Sequence, residues 1–208
     1  MSPDGPARPE CAGRRAARHD RDGAAGAARE PTRRLFVACD LPPVAQAAVA
    51  GWQARELAPH VGLRVNHSLH VTLCFLGPVP ERRVGDVGAA LAGLELPLLP
   101  SGLGAALFLP ERGPKRVVAL ALDDPHGALA RTQRSVSSAL YRLGVYTPET
   151  RPWLAHLTVA RFRRPGQPFL LQNVTIEPFG LPSVILYASS LERGGAVHTP
   201  VATFPTVS

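Results

Sequence analysis

The chain has 208 residues, 45% of them hydrophobic, with 22 prolines, 19 glycines and a formal net charge of +7. That length allows one domain, or two small lobes sharing a core. No apolar run reaches the roughly 18 residues of a membrane span, and the first fifteen residues hold no apolar signal segment, so a soluble, cytoplasmic protein with no membrane partner is expected.

Residues 1–32 are rich in Ala, Gly, Arg and Pro without apolar periodicity and read as a disordered tail. The folded domain is expected over 33–208. Leu35 to Cys39 predict a buried strand. Pro42 and Pro43 then open a helix, with Val44, Ala48, Trp52 and Leu57 on its apolar stripe. A linker leads to a strand holding His70. PERRVGDVGAALAGL predicts a second helix, weakened by Gly85 and Gly88, and LPLLPSGLGAALFLP predicts irregular strand and loop. Lys115 to Leu122 form another buried strand. PHGALARTQRSVSSALYRLG is a helix that stops at Gly144, and VYTPETRPW links it to a strand holding His156. Three strand-like runs close the chain: NVTIEPF, SVILYASSL and VHTPVATF.

The order strand, helix, linker, strand thus occurs twice. Both second strands carry His-x-Thr, in HVTLCFLG from His70 and in HLTVARF from His156, 86 positions apart. Ten threonines and seven histidines make two such hits by accident an event of about 5% probability. Side chains alternate along a strand. His70, Thr72 and Cys74 therefore share one face, opposite Val71, Leu73 and Phe75, and His156 and Thr158 lie opposite Leu157 and Val159.

Neither motif contains an acid, and Cys74 lies on one strand only, so a metal site is poorly supported. With Cys11 and Cys39 it completes a set of three thiols, too scattered for disulfides or zinc. No metal or other cofactor is expected. Acid–base work on a phosphodiester fits better. It needs one proton taken from the attacking oxygen and one given to the leaving oxygen, on opposite sides of phosphorus, and imidazole titrates near neutrality. A threonine hydroxyl can donate to a non-bridging phosphate oxygen.

The charge agrees mildly. Residues 35–208 carry 15 Lys+Arg against 11 Asp+Glu, which favours an anionic partner such as a nucleotide or RNA, although a solvated basic surface accounts for it equally. Arg151, Arg163 and Arg164 either track an RNA backbone or solvate a loop. Phe36 reads as core, with base stacking as the alternative. His60, His67, His126 and His198 have no matching partners and read as surface or structural.

Taken together, RLFVACDLPP, LHVTLCFLG, HLTVARF and VILYASSLERGGAVHTPVATFP resemble the RNA 2′,3′-cyclic phosphodiesterase (LigT, or 2′–5′ RNA ligase-like) family of the 2H phosphoesterase superfamily, over about residues 33–207. The resemblance implies an α+β fold: two pseudo-symmetric antiparallel-sheet lobes with outer helices and a central cleft. It implies metal-independent hydrolysis of 2′,3′-cyclic phosphate ends, on RNA or nucleotides, to 2′-phosphates by a monomer. A related activity on small cyclic nucleotides or 2′–5′ oligonucleotides is the alternative within the superfamily. A non-catalytic RNA-binding module is the alternative outside it. The motif carries over onto His70 as acid and His156 as base, with Thr72 and Thr158 as phosphate contacts. Arg161, five residues past the second histidine, becomes a further phosphate contact. Strict alternation points Arg161 away from His156, so that role requires a twist or bulge. Cys74 stands where relatives often carry a basic side chain, and PWLAHLT lacks the proline that commonly precedes the second histidine.

Overall fold

The structure, a computed structural model, describes residues 30–193 and 195–207. The tail expectation over 1–29, and Cys11 with it, lies outside the described residues. The first strand, β1 (Thr32–Asp40), follows from an unbroken apolar run, Leu35 to Cys39, all of it buried.

Helix α1 (Pro43–Glu56) begins with proline where a missing N–H costs nothing. Its buried stripe is Ala45, Val49, Trp52 and Gln53, so Val44, at 64% exposure, and Ala48 lie off the expected phase. Trp52 belongs to both stripes, and its indole N–H donates to the Gln172 carbonyl at 2.7 Å. The remaining elements are β2 (Leu63–Val65), β3 (His70–Pro80), α2 (Val84–Ala92), β4 (Leu99–Leu109), β5 (Lys115–Asp123), α3 (Ala128–Arg142), β6 (His156–Gly166), β7 (Phe179–Leu181), β8 (Ser183–Glu192) and β9 (Gly195–Pro205).

Local chemistry accounts for the limits of α3. Both carboxylate oxygens of Asp124 accept N–H groups of its first turn, from Leu129 and Ala130. Gly144, at φ 73°, ends it in the left-handed conformation. Gly144 N–H bonds the Tyr141 carbonyl and Val145 N–H the Leu140 carbonyl, which satisfies the last turn.

LPLLPSGLGAALFLP holds the irregular strand expected, β4, which starts at Leu99 and shifts register between Leu103 and Ala106. Two expectations need correction. The short strand β2 pairs β6 and was not foreseen. NVTIEPF is no strand before Phe179. Val174 and Ile176 do turn onto the core, so the alternation is real, but this segment straps α1 rather than a sheet edge: Gln172 N–H donates to the Glu56 carboxylate at 3.0 Å.

The strands form one sheet in the order β7-β4-β5-β6-β3-β1-β8-β9, antiparallel at every named pair, with β2 against β6. The expected repeat of element order is present as β1–α1–β3 and β5–α3–β6. The two motif strands, β3 and β6, are neighbours joined at the single pair Val71↔Leu157. Alternation divides the core. Leu35, Val37 and Cys39 of β1 and Val184 and Leu186 of β8 join the main core with the buried residues of all three helices. Phe36, Ala38, Ile185 and Tyr187 form a separate cluster on the opposite face. The fold is α+β and mainly antiparallel sheet. No described helix is long and apolar enough to cross a membrane.

Candidate active site

Val71 and Leu157 are fully buried, so the residues on either side of each, His70 and Thr72, His156 and Thr158, point to the other face of the sheet. All four are half-buried there. Continuing the antiparallel register by one residue sets His70 beside Thr158 and Thr72 beside His156. The two histidines are then diagonal neighbours, about 7–8 Å apart along the backbone. Each ring meets the backbone two residues upstream. His156 Nδ1–H donates to the Leu154 carbonyl at 2.9 Å, and the Ser68 backbone faces the His70 ring closely enough to raise its pKa. The Leu154 carbonyl can only accept, so Nδ1 carries the proton of this bond and Nε2 is the nitrogen left for proton transfer, in either direction.

Directly after each motif threonine the strand bulges. Ala38 pairs with Thr72 and Val37 with Cys74, which makes Leu73 an extra residue in β3. Ala119 pairs with Thr158 and Val118 with Ala160, which makes Val159 an extra residue in β6. A bulge shifts the alternation by one. Leu73 and Cys74 are consequently both buried, as are Val159 and Ala160. The fifth residue after each histidine then returns to the histidine face: Phe75, 63% exposed, and Arg161, also exposed. Arg161 lies within electrostatic reach of His70. The bulge that its expected role requires is therefore present. Cys74, by contrast, does not share the face of His70 and Thr72. Burial in the core pushes its thiol up to about 12.

Each half of the chain braces the other half's bulge. From the first half, Gln53 Nε2 donates to the Val159 carbonyl at 2.9 Å and to the Asn66 carbonyl at 2.8 Å. Asn66 N–H also donates to Val159, and its Nδ2 to the Thr158 carbonyl at 2.8 Å. From the second half, Gln133 Nε2 reaches the Leu73 carbonyl at 3.4 Å, and Trp153 Nε1 donates to the Thr72 carbonyl at 3.1 Å.

One residue read as surface or structural stands at the site instead. His198 of β9 meets the His70 ring edge-on, centroids 5.3 Å apart, and the Phe36 ring at 4.9 Å. Its Nδ1 is buried without a partner. No motif spacing marks His198; the β8–β9 register, Ser189↔His198, carries it there. Tyr187 stacks on Phe36 at 5.1 Å and donates its hydroxyl to Asp40, with 2.8 and 2.7 Å to the two carboxylate oxygens. Burial first, then the positive charges of His198, Arg161 and His156, lower the His70 pKa to about 4, against the Ser68 backbone, which raises it. Burial also lowers that of His198.

The other candidates lie apart from these groups or make different contacts. Phe36 is 2% exposed and belongs to the smaller core cluster, which leaves no open face for a base. Arg151 is exposed and paired with Glu149. Arg163 and Arg164 are exposed further along β6. His60 stacks on Phe169, centroids 3.8 Å apart, and His67 and His126 are exposed. A groove of about 530 Å³ opens beside Phe75, between Pro78, Arg83 and Tyr146. Among the described residues no three His, Cys, Asp or Glu side chains gather closely enough to hold a metal.

No family model matches the chain. It is 32% identical over 182 residues to an RNA 2′,3′-cyclic phosphodiesterase of Thermus thermophilus, covering 82% of this chain and 89% of that one. It is 29% identical over 143 residues to a protein of the same name from Geobacillus stearothermophilus, covering 65% of this chain. There the chain spans under half, 45%, of the relative's length. Among solved structures, E. coli LigT complexed with 3′-AMP superposes with a TM-score of 0.74 at 26% identity, covering 86% of this chain and all of LigT.

Proposed function

The chain belongs to the RNA 2′,3′-cyclic phosphodiesterase family, and from that premise we propose that it hydrolyses 2′,3′-cyclic phosphate ends of RNA or nucleotides to 2′-phosphates without a metal ion. The observation that carries this reading is the diagonal quartet of two histidines and two threonines on one open face. Water attacks phosphorus opposite the 3′ oxygen. One imidazole takes the water proton, and the other gives a proton to the 3′ oxygen as the P–O3′ bond breaks. The product carries a 2′-phosphate and a free 3′-hydroxyl. Thr72 and Thr158 donate to the non-bridging oxygens as charge develops there, and the Arg161 guanidinium offsets that charge. Phe75 offers an exposed aromatic face to the nucleobase.

The surroundings of His70 bear on the division of labour. Burial and cationic neighbours favour its neutral form in the free protein, and the neutral form is that of a base. This supports His70 as base and His156 as acid, the reverse of the order that the resemblance implies.

The test is turnover of a nucleoside 2′,3′-cyclic phosphate in excess EDTA, with the phosphate position of the product identified. The expected result is undiminished hydrolysis to the 2′-phosphate. Loss of activity on chelation, restored by zinc or manganese, overturns the acid–base reading, and no turnover in any buffer overturns the enzymatic one.

A further inference from the structure

The β2–β6 ladder pairs Arg64 directly with Arg161. The pairs on either side, Leu63↔Phe162 and Val65↔Ala160, turn toward the main core. Both arginines therefore rise from the opposite face, the one that carries His70 and His156. Both are exposed. Like charges directly opposite in a ladder repel, and among the described residues neither guanidinium has a carboxylate partner. The two extend differently. Arg161 acts electrostatically on His70. Arg64 leans to the β8–β9 turn, where a methyl group on Gly195 would come within 3.1 Å of its Nη1. Gly195, at φ 131°, supplies no side chain to fill that space.

Two adjacent guanidinium groups without an internal counter-charge, at the rim of a phosphate-handling face, form an anion site with room for more than one phosphate. A nucleoside 2′,3′-cyclic phosphate has a single phosphate. An RNA end has a second, the diester on the 5′ side of its terminal ribose. We propose that Arg64 binds that second phosphate and so sets a preference for polynucleotide ends over mononucleotides, while Arg161 serves the cyclic phosphate. The inference rests on the phosphodiesterase reading above and adds to it a residue that selects the length of the substrate.

The experiment compares kcat/KM on a nucleoside 2′,3′-cyclic phosphate with kcat/KM on a short oligoribonucleotide ending in the same cyclic nucleotide. Wild type, Arg64→Gln and Arg64→Thr are measured across a salt series. Wild type is expected to prefer the oligonucleotide. Either variant should reduce the oligonucleotide-to-mononucleotide ratio roughly tenfold, through KM, as befits one lost charge-assisted contact. The slope of log affinity against log salt for the oligonucleotide should also fall by about 0.7, the share of one single-strand phosphate contact. An unchanged ratio in a folded variant overturns the inference and leaves the phosphodiesterase reading standing. Equal losses on both substrates do the same, by assigning Arg64 to the cyclic phosphate. A wild-type protein that turns over neither substrate overturns both. Arg64 is exposed, and threonine suits a strand, so Arg64→Thr keeps the test decisive should Arg64→Gln fail to fold.

Discussion

His70 and His156 carry the same motif in unlike surroundings. Each is assigned one proton transfer, so replacing either with alanine should lower the rate by roughly 10²–10⁴-fold, measured on a cyclic mononucleotide. The double variant should lose less than the product of the two, because the pair acts as a unit. Near-wild-type turnover by folded His156→Ala would sink the two-histidine mechanism. The pH profile separates the roles. A base must be deprotonated, so with His70 as base the acidic limb of kcat/KM belongs near pH 4, where burial and its neighbours hold it. An acidic limb well above pH 4 would overturn His70 as the base. Stability gives an independent reading of the same group. His70 titrates lower in the fold than the ordinary 6.5 of an unfolded chain. Between those values the unfolded chain binds the extra proton, so stability rises with pH through this window and is lost as pH falls from about 6.5 toward 4. Urea melts at pH 7 and 4.5 should therefore differ less for His70→Gln than for wild type. His198 shows the limit of motif reading. It stands alone in the sequence and reaches His70 only through hairpin register.

Among the elements, the two bulges are what turn a strand motif into a site. Without the extra residue Val159, alternation would aim Arg161 into the core, and without Leu73 it would aim Cys74 at the cleft. The sequence showed that Arg161 needed such a shift but not that β3 repeats it, because a bulge is decided by what receives its carbonyl. That receiver is distant: Gln53 and Asn66 are 106 and 93 positions from Val159. Gln53, a buried polar residue on an apolar helix stripe, was the one local sign of it. Gln53→Leu leaves the Asn66 carbonyl short of its side-chain donor and removes one of two donors from Val159. It should cost about 1–3 kcal/mol in a urea melt. It should also lower kcat on a cyclic mononucleotide, because the bulge that presents Thr158 and Arg161 loosens. A stability loss with kcat intact would mean that the bulge holds its shape without this brace. The phase of α1 is also decided away from its own sequence. Val44 and Ala45 are both apolar and Trp52 fits a stripe through either; packing on the main core leaves Ala45 buried and Val44 exposed.

At the scale of the whole molecule, the duplicated order of elements was legible because each half buries its own strand and helix by local pattern. The junction was not, because one ladder pair between β3 and β6 leaves no periodic trace. The boundary with residues 1–29 can be tested from what the structure does describe. Ordered pairing begins at Thr32, opposite Pro80. Just before it, Pro31 accepts an N–H bond from Glu81, and Glu30 pairs with Arg82. That ion pair is exposed, and such pairs contribute about 0–1 kcal/mol. The segment before Glu30 has no apolar periodicity to contribute to a core. A chain that starts at Glu30 should therefore keep its melting temperature within a few degrees and its turnover of a cyclic mononucleotide within about twofold. The first 29 residues carry six arginines against four acids, so any contribution belongs to long RNA and should appear as a smaller salt dependence of binding. An insoluble truncated chain, or one inactive on the mononucleotide, would show that the catalytic unit extends into the first 29 residues.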